Sequence, residues 1–153
     1  VTIPNAISFA PGGTHAYFAD TRARLVWRIE LDEAGWPRAA PEEWEIFLDH
    51  RGSGINPDGA VIDADGAMWC AEWGAARVAQ YAPSGAFIRA IELPVPQPSC
   101  PAFGGEGLGD LFVTTARFDL PQGGLEAAPL SGQTFRAPSG TTGHAEHRVV
   151  LSP

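Results

Sequence analysis

Three oxygen-bearing side chains hold one place in a repeat. Asn5 stands four residues before Phe9, Asp58 four before Ile62, and Ser99 four before Phe103. An amide oxygen, a carboxylate and a hydroxyl are hard donors, suited to Ca2+, Mg2+ or Mn2+ with water completing the shell. An ion held by Asn5 and Asp58 would polarise a carbonyl and lower the pKa of a bound water. Asp58 then serves both as metal ligand and as general base. Taken singly, Asn and Asp-Gly in loops are turn formers, so this chemistry depends on what the repeat builds around them.

The repeat is a succession of short strands. The first unit runs from Asn5–Phe9 through the Pro11-Gly12-Gly13 turn to Ala16–Asp20 and Arg24–Leu31. A polar insertion over Asp32–Glu43 precedes its fourth strand, Trp44–Leu48. The second unit runs from Asp58–Ile62 through Asp65-Gly66 to Met68–Glu72, Arg77–Tyr81 and Phe87–Leu93. The third reads Ser99–Phe103, Gly104-Gly105, Asp110–Thr115, then Gly124–Ala128. Phe9, Ile62 and Phe103 recur at spacings of 53 and 41 residues. Units of that size with about four strands each are the signature of propeller blades.

The expected fold is therefore all-β: three four-stranded β-propeller blades, at about 5–49, 58–94 and 99–151, in one domain spanning 1–153. The first strand of a blade lines the central channel, so radial repetition aims Asn5 and Asp58 at its axis. With 18 Gly and 14 Pro in 153 residues, no segment sustains a 3.6-residue period, and Trp44, Ile46 and Leu48 alternate as a strand does. Closed propellers have about four to eight blades. Three blades leave apolar faces open, so the ring needs a complementary half or a second copy of the chain.

Composition narrows the chemistry further. A net charge of −8 disfavours nucleic acid and anionic membranes as partners. All ten basic residues are Arg, which excludes a Schiff-base lysine and a Walker-type lysine. No G-x-S-x-G marks a serine hydrolase. His144, Glu146 and His147 match neither the HExxH nor the zinc-finger spacing. Cys70 and Cys100 are too few for a disulfide framework and read as buried small hydrophobes; a reducing, cytoplasmic setting is expected. The opening residues lack the pattern of a secretory signal, and no apolar run is long enough for a spanning helix. Asp63 and Asp65 read as solvated turn residues, Glu42, Glu43 and Glu45 as a solvated face, and both Trp69 and Trp73 as blade packing more than a sugar platform, with Trp73 on the side of the channel mouth.

The segment Asn56-Pro-Asp-Gly-Ala-Val-Ile-Asp-Ala-Asp-Gly-Ala-Met-Trp-Cys-Ala-Glu-Trp-Gly-Ala-Ala-Arg-Val resembles the signature region of the regucalcin/gluconolactonase family. Ile91–Gly105, Leu111–Ala116, the opening Ile3–Gly13 and the closing Gly143–Val149 are similar to further segments of that family, in the same order. The resemblance implies the C-terminal half of a six-bladed propeller with a divalent ion in its channel, Ca2+ foremost and Mg2+, Mn2+ or Zn2+ as alternatives. It implies metal-dependent hydrolysis of sugar lactones, with Asn5 and Asp58 as ligands and Asp58 as base. A third ligand, a Glu, and the substrate-orienting Arg and Asn of the family belong to the half not in this sequence. The family usually has Asn-Gly where this chain has Asn5-Ala6, which puts the backbone at that turn in question. The alternative is a non-catalytic propeller fragment or interaction module.

Overall fold

A computed structural model describes residues 1–145 and 151. Three antiparallel sheets follow one another along the chain, each in sequential strand order. The first holds β1 (Pro4–Phe9), β2 (His15–Asp20), β3 (Leu25–Glu30) and β4 (Glu45–Asp49). The second holds β5 (Asn56–Ile62), β6 (Met68–Trp73), β7 (Arg77–Tyr81) and β8 (Phe87–Glu92). Among the described residues the third holds β9 (Pro98–Gly104), β10 (Asp110–Thr115) and β11 (Thr134–Pro138).

The middle sheet shows why the sheets stack. Along β6, Met68, Trp69, Cys70, Ala71 and Glu72 are all buried, so both faces of this strand are covered. Met68 and Cys70 face the first sheet, joining Tyr17, Ala19, Val26, Phe47 and Leu48. Trp69 and Ala71 point the other way, joining Leu111 and Val113 of the third sheet. Period-two alternation thus sends one strand into two cores. The innermost strands come together in turn: β1 packs beside β5, and β5 beside β9.

Gly59 lets β5 meet β9 so closely. A Cβ there would lie 2.7 Å from the Ser99 carbonyl oxygen and 2.9 Å from the Cys100 Cα. Both are backbone atoms, so nothing flexible can yield.

The third unit departs from expectation. Gly124–Ala127 forms a short helix, α1, and the strand that pairs with β10 is Thr134–Pro138 instead. Leu-Glu-Ala-Ala favours helix over strand, whereas Thr134 and Phe135 favour the sheet. The expected end of this blade, through residue 151, runs over residues outside the described set, as do Glu146 and His147. Two further corrections concern burial. Asp63 is fully buried, not solvated. Cys100 is exposed, because alternation along β9 turns it off the core that Leu111 and Val113 fill.

Candidate functional site

Each of the three equivalent residues sits where its inner strand slips register. Pairing shifts between Asn5 and Ser8 in β1 and between Pro57 and Ala60 in β5. In β9 it shifts between Pro98 and Cys100, around Ser99. A bulge re-aims side chains and ends regular pairing. Proline precedes each of the three, at Pro4, Pro57 and Pro98. Its missing N–H suits the end of an inner strand. At the first bulge Ala6 has φ of 51°. Alanine therefore keeps the left-handed backbone that glycine adopts freely, and the turn is made despite the substitution.

Asn5 and Asp58 line one pocket of about 420 Å3, together with Thr21, Arg22, Arg24, Asn56, Trp73 and Phe118 among others. Asn5 Nδ2 donates to Thr21 Oγ1 at 2.9 Å, and that hydroxyl donates to the Pro57 carbonyl at 2.6 Å. Among the described residues no side chain hydrogen-bonds the Asp58 carboxylate. Burial pushes its pKa up to about 6, against a smaller downward pull from the Gly59 amide. A desolvated carboxylate without a cationic partner, lining the same pocket as an amide side chain, fits a hard cation.

The pair does not fill a coordination shell. Ca2+ takes about six to eight oxygens, and among the described residues no three His, Cys, Asp or Glu side chains cluster around a metal position. The Ser99 hydroxyl is engaged with Thr114 Oγ1 at 2.9 Å. His144 lies elsewhere, in a smaller cavity of about 150 Å3 with Ile7 and Phe9 toward the far ends of β1 and β5.

Trp73 lines the pocket, whereas Trp69 is buried in the blade. The acidic residues Glu42, Glu43 and Glu45 are exposed, and Glu45 pairs with Arg28. The middle blade also holds two buried carboxylates whose burial its sequence does not announce. Glu72 is fully buried and accepts from Arg77 Nε and Tyr81 Oη, each at 2.5 Å. Asp63 accepts from the Ala67 amide at 2.8 Å and from Trp69 Nε1 and Gln80 Nε2, each at 3.0 Å. Both are structural anchors of the middle blade.

Stacked antiparallel sheets, two of four strands and, among the described residues, one of three, are the blades of a β-propeller. The chain belongs to the SMP-30/Gluconolactonase/LRE-like family, whose signature matches residues 1–117. It is 35% identical to the L-arabinolactonase of Azospirillum brasilense, over 99% of this chain and 48% of that protein. It is 36% identical to the 6-deoxy-6-sulfogluconolactonase of Pseudomonas putida, over 95% of this chain and 49% of the relative. Among solved structures, a calcium-binding regucalcin from Agrobacterium tumefaciens superposes with a TM-score of 0.90 at 38% identity. The match covers 97% of this chain and 50% of that one. The chain thus spans about half the length of these relatives. Among the described residues no helix is long and apolar enough to cross a membrane.

Proposed function

We propose that residues 1–153 form one propeller-type unit, the C-terminal half of a six-bladed ring that hydrolyses sugar lactones. The observation that carries this reading is the placement of Asn5 and Asp58 on equivalent bulges, facing one pocket. The names of the relatives support the substrate class: an L-arabinolactonase and a 6-deoxy-6-sulfogluconolactonase. A divalent ion bound by Asn5 and Asp58, Ca2+ foremost with Mg2+, Mn2+ or Zn2+ as alternatives, would supply Lewis acidity and a bound water of lowered pKa.

The chain's own residues do the rest. Asn5 is oriented by Thr21, so that its carbonyl oxygen is the free end of the amide. Asp58 accepts the proton of the water that attacks the lactone carbonyl carbon. A carboxylate titrating near pH 6 is matched to that task at neutral pH. The ring C–O bond breaks, the former ring oxygen takes up a proton, and an open-chain aldonate leaves. The walls of the pocket hold the sugar ring against bulk water.

The remaining ligands and walls come from a complementary half or from a second copy related by a two-fold axis. A ring closed from two copies presents two Asn5 and two Asp58 to one ion. The two free cysteines support a reducing, cytoplasmic setting. A non-catalytic fragment is the second reading, and its support is the two-donor site, too small for a stable metal shell.

Native mass with and without Ca2+, followed by a pH-stat assay on an arabinonolactone and a gluconolactone, separates these readings. The two-copy form of the lactonase reading expects a Ca2+-tightened dimer of twice the 16.2 kDa chain mass. It also expects hydrolysis that chelation or Asp58→Ala abolishes. Hydrolysis indifferent to both contradicts the assigned site. A monomer at background rate in saturating Ca2+ rules out the two-copy ring; background rate with a complementary half supplied as well establishes the fragment.

A further inference from the structure

The turn between β2 and β3 carries a side chain that its backbone does not need. Arg24 has φ of 59°, in the left-handed region, and Ala76 at the same point of the second blade has φ of 56°. The Arg24 carbonyl accepts from the His50 amide, as the Ala76 carbonyl accepts from that of Leu93. Alanine suffices for this turn, so the long cationic side chain at 24 answers a different requirement.

That side chain is tethered in the pocket that holds Asn5 and Asp58. Arg24 Nε donates to Asn56 Oδ1 at 3.1 Å, and Asn56 Nδ2 is anchored on the Trp73 carbonyl at 3.3 Å. Among the described residues neither Arg24 nor its pocket neighbour Arg22 has a carboxylate within ion-pair distance. Five other arginines are paired with acids: Arg28, Arg38, Arg51, Arg77 and Arg136. Arg89 and Arg117 bond the carbonyls of Ser139 and Ser131. In a chain of net charge −8, two guanidinium groups without an acidic partner among the described residues share one pocket. Its carboxylates, Asp58 and Asp119, pair with neither. Trp73 and the largely exposed Phe118 add two aromatic rings to the same wall.

We infer that Arg24, seconded by Arg22, is a specificity-determining residue that grips an anionic substituent on the sugar: a carboxylate, sulfonate or phosphate. This rests on the lactone-site reading above. With Nε fixed by Asn56, the two Nη groups present a planar fork that matches such an anion, while a neutral polyol leaves its charge uncompensated. Trp73 offers an apolar face to the sugar ring.

The test is an NMR titration of the 153-residue chain in metal-free buffer, read at the arginine Nε–Hε and tryptophan indole signals. The probes are D-glucarate, a sugar dicarboxylate; xylitol, an uncharged polyol; and inorganic sulfate. D-glucarate is expected to shift Arg24 and Trp73 together, saturably, with about tenfold weaker binding in Arg24→Gln. Arg24→Lys, which keeps charge but loses the fork, should fall between the two. Sulfate should shift Arg24 weakly and leave Trp73 unmoved. An unshifted Arg24 with D-glucarate overturns the inference, as does an equal response to xylitol. Sulfate binding as tight as D-glucarate with Trp73 silent overturns the sugar assignment. The wild-type titration decides the matter even where a variant does not fold. A parallel Ca2+ titration read at the Asn5 side-chain amide keeps the two readings separate. Ca2+ moving Asn5 while D-glucarate leaves Arg24 unmoved sinks only the anion site; the reverse sinks only the metal site.

Discussion

Asn5 and Thr21 are joined by a hydrogen bond from Nδ2 to Oγ1 of 2.9 Å, and the same hydroxyl reaches across to the Pro57 carbonyl at 2.6 Å. One threonine therefore orients the first candidate ligand and ties the first blade to the residue that precedes the second. Groups that orient metal ligands are worth about 10–100-fold in affinity. Thr21→Val should weaken divalent-ion binding by about tenfold while costing little in stability, since the site is part-exposed. Titration of the variant with Ca2+ beside its thermal melt checks both halves.

Gly59 sets the spacing of the channel wall. A methyl group at this position meets the backbone of Ser99 and Cys100 below 3.0 Å. Gly59→Ala should therefore destabilise by about 1–3 kcal/mol, the range of overpacking that backbone must absorb. Gly12→Ala is not an equivalent control, because its φ of 82° adds strain. Gly52→Ala meets open space and should stay near the wild-type melting temperature.

Asp63 is the hub of the middle blade. Removing its carboxylate leaves Trp69 Nε1, Gln80 Nε2 and the Ala67 amide without their acceptor. Asp63→Ala should cost about 3–5 kcal/mol, since three buried donors lose their acceptor. Urea denaturation monitored by tryptophan fluorescence measures this directly. A loss below about 1 kcal/mol would mean that solvent reaches the site.

Histidine 50 makes stability depend on pH. It is buried, its ring lies 5.9 Å from that of Tyr81, and Nε2 has no hydrogen-bond partner among the described residues. Burial is the main cause that holds its pKa below the ordinary value of 6.5. The unfolded chain thus binds a proton here before the folded one does. Stability attributable to His50 is full above about pH 6.5 and falls as pH drops toward the lowered native pKa. His50→Leu should remove this contribution from denaturation curves taken across pH 5–7, leaving the opposite one of Asp58, whose raised pKa lets stability fall as pH rises.

Much of the architecture was legible because the blades repeat. Apolar alternation and glycine turns located the strands of the first two sheets within a residue or two. Equivalent spacing from Phe9, Ile62 and Phe103 also picked out Asn5, Asp58 and Ser99, which the structure sets on three bulges. What stayed hidden depended on partners distant in sequence. Asp63 has the local signature of a turn former, and it does bond the amide two residues on; its burial comes from Trp69 and Gln80 on neighbouring strands. Glu72 reads as a strand end until Arg77 and Tyr81 close over it. Gly124–Ala128 falls where the repeat demands a strand, yet its residues favour helix. For Arg24 the sequence does carry a signal: aligning the turn Asp20–Arg24 with Glu72–Ala76 sets an arginine against an alanine.

The most direct test of the account is Tb3+ binding to the metal-free chain, followed by emission excited through Trp73 at the pocket wall. Tb3+ replaces Ca2+ among oxygen donors, and energy transfer needs the indole close to the ion. The account predicts a saturable signal that Ca2+ displaces, lost in Asp58→Asn and reduced in Asn5→Ala. Emission that persists unchanged in both variants, or a chain that gives none at saturating Tb3+, would contradict a metal site built on Asn5 and Asp58.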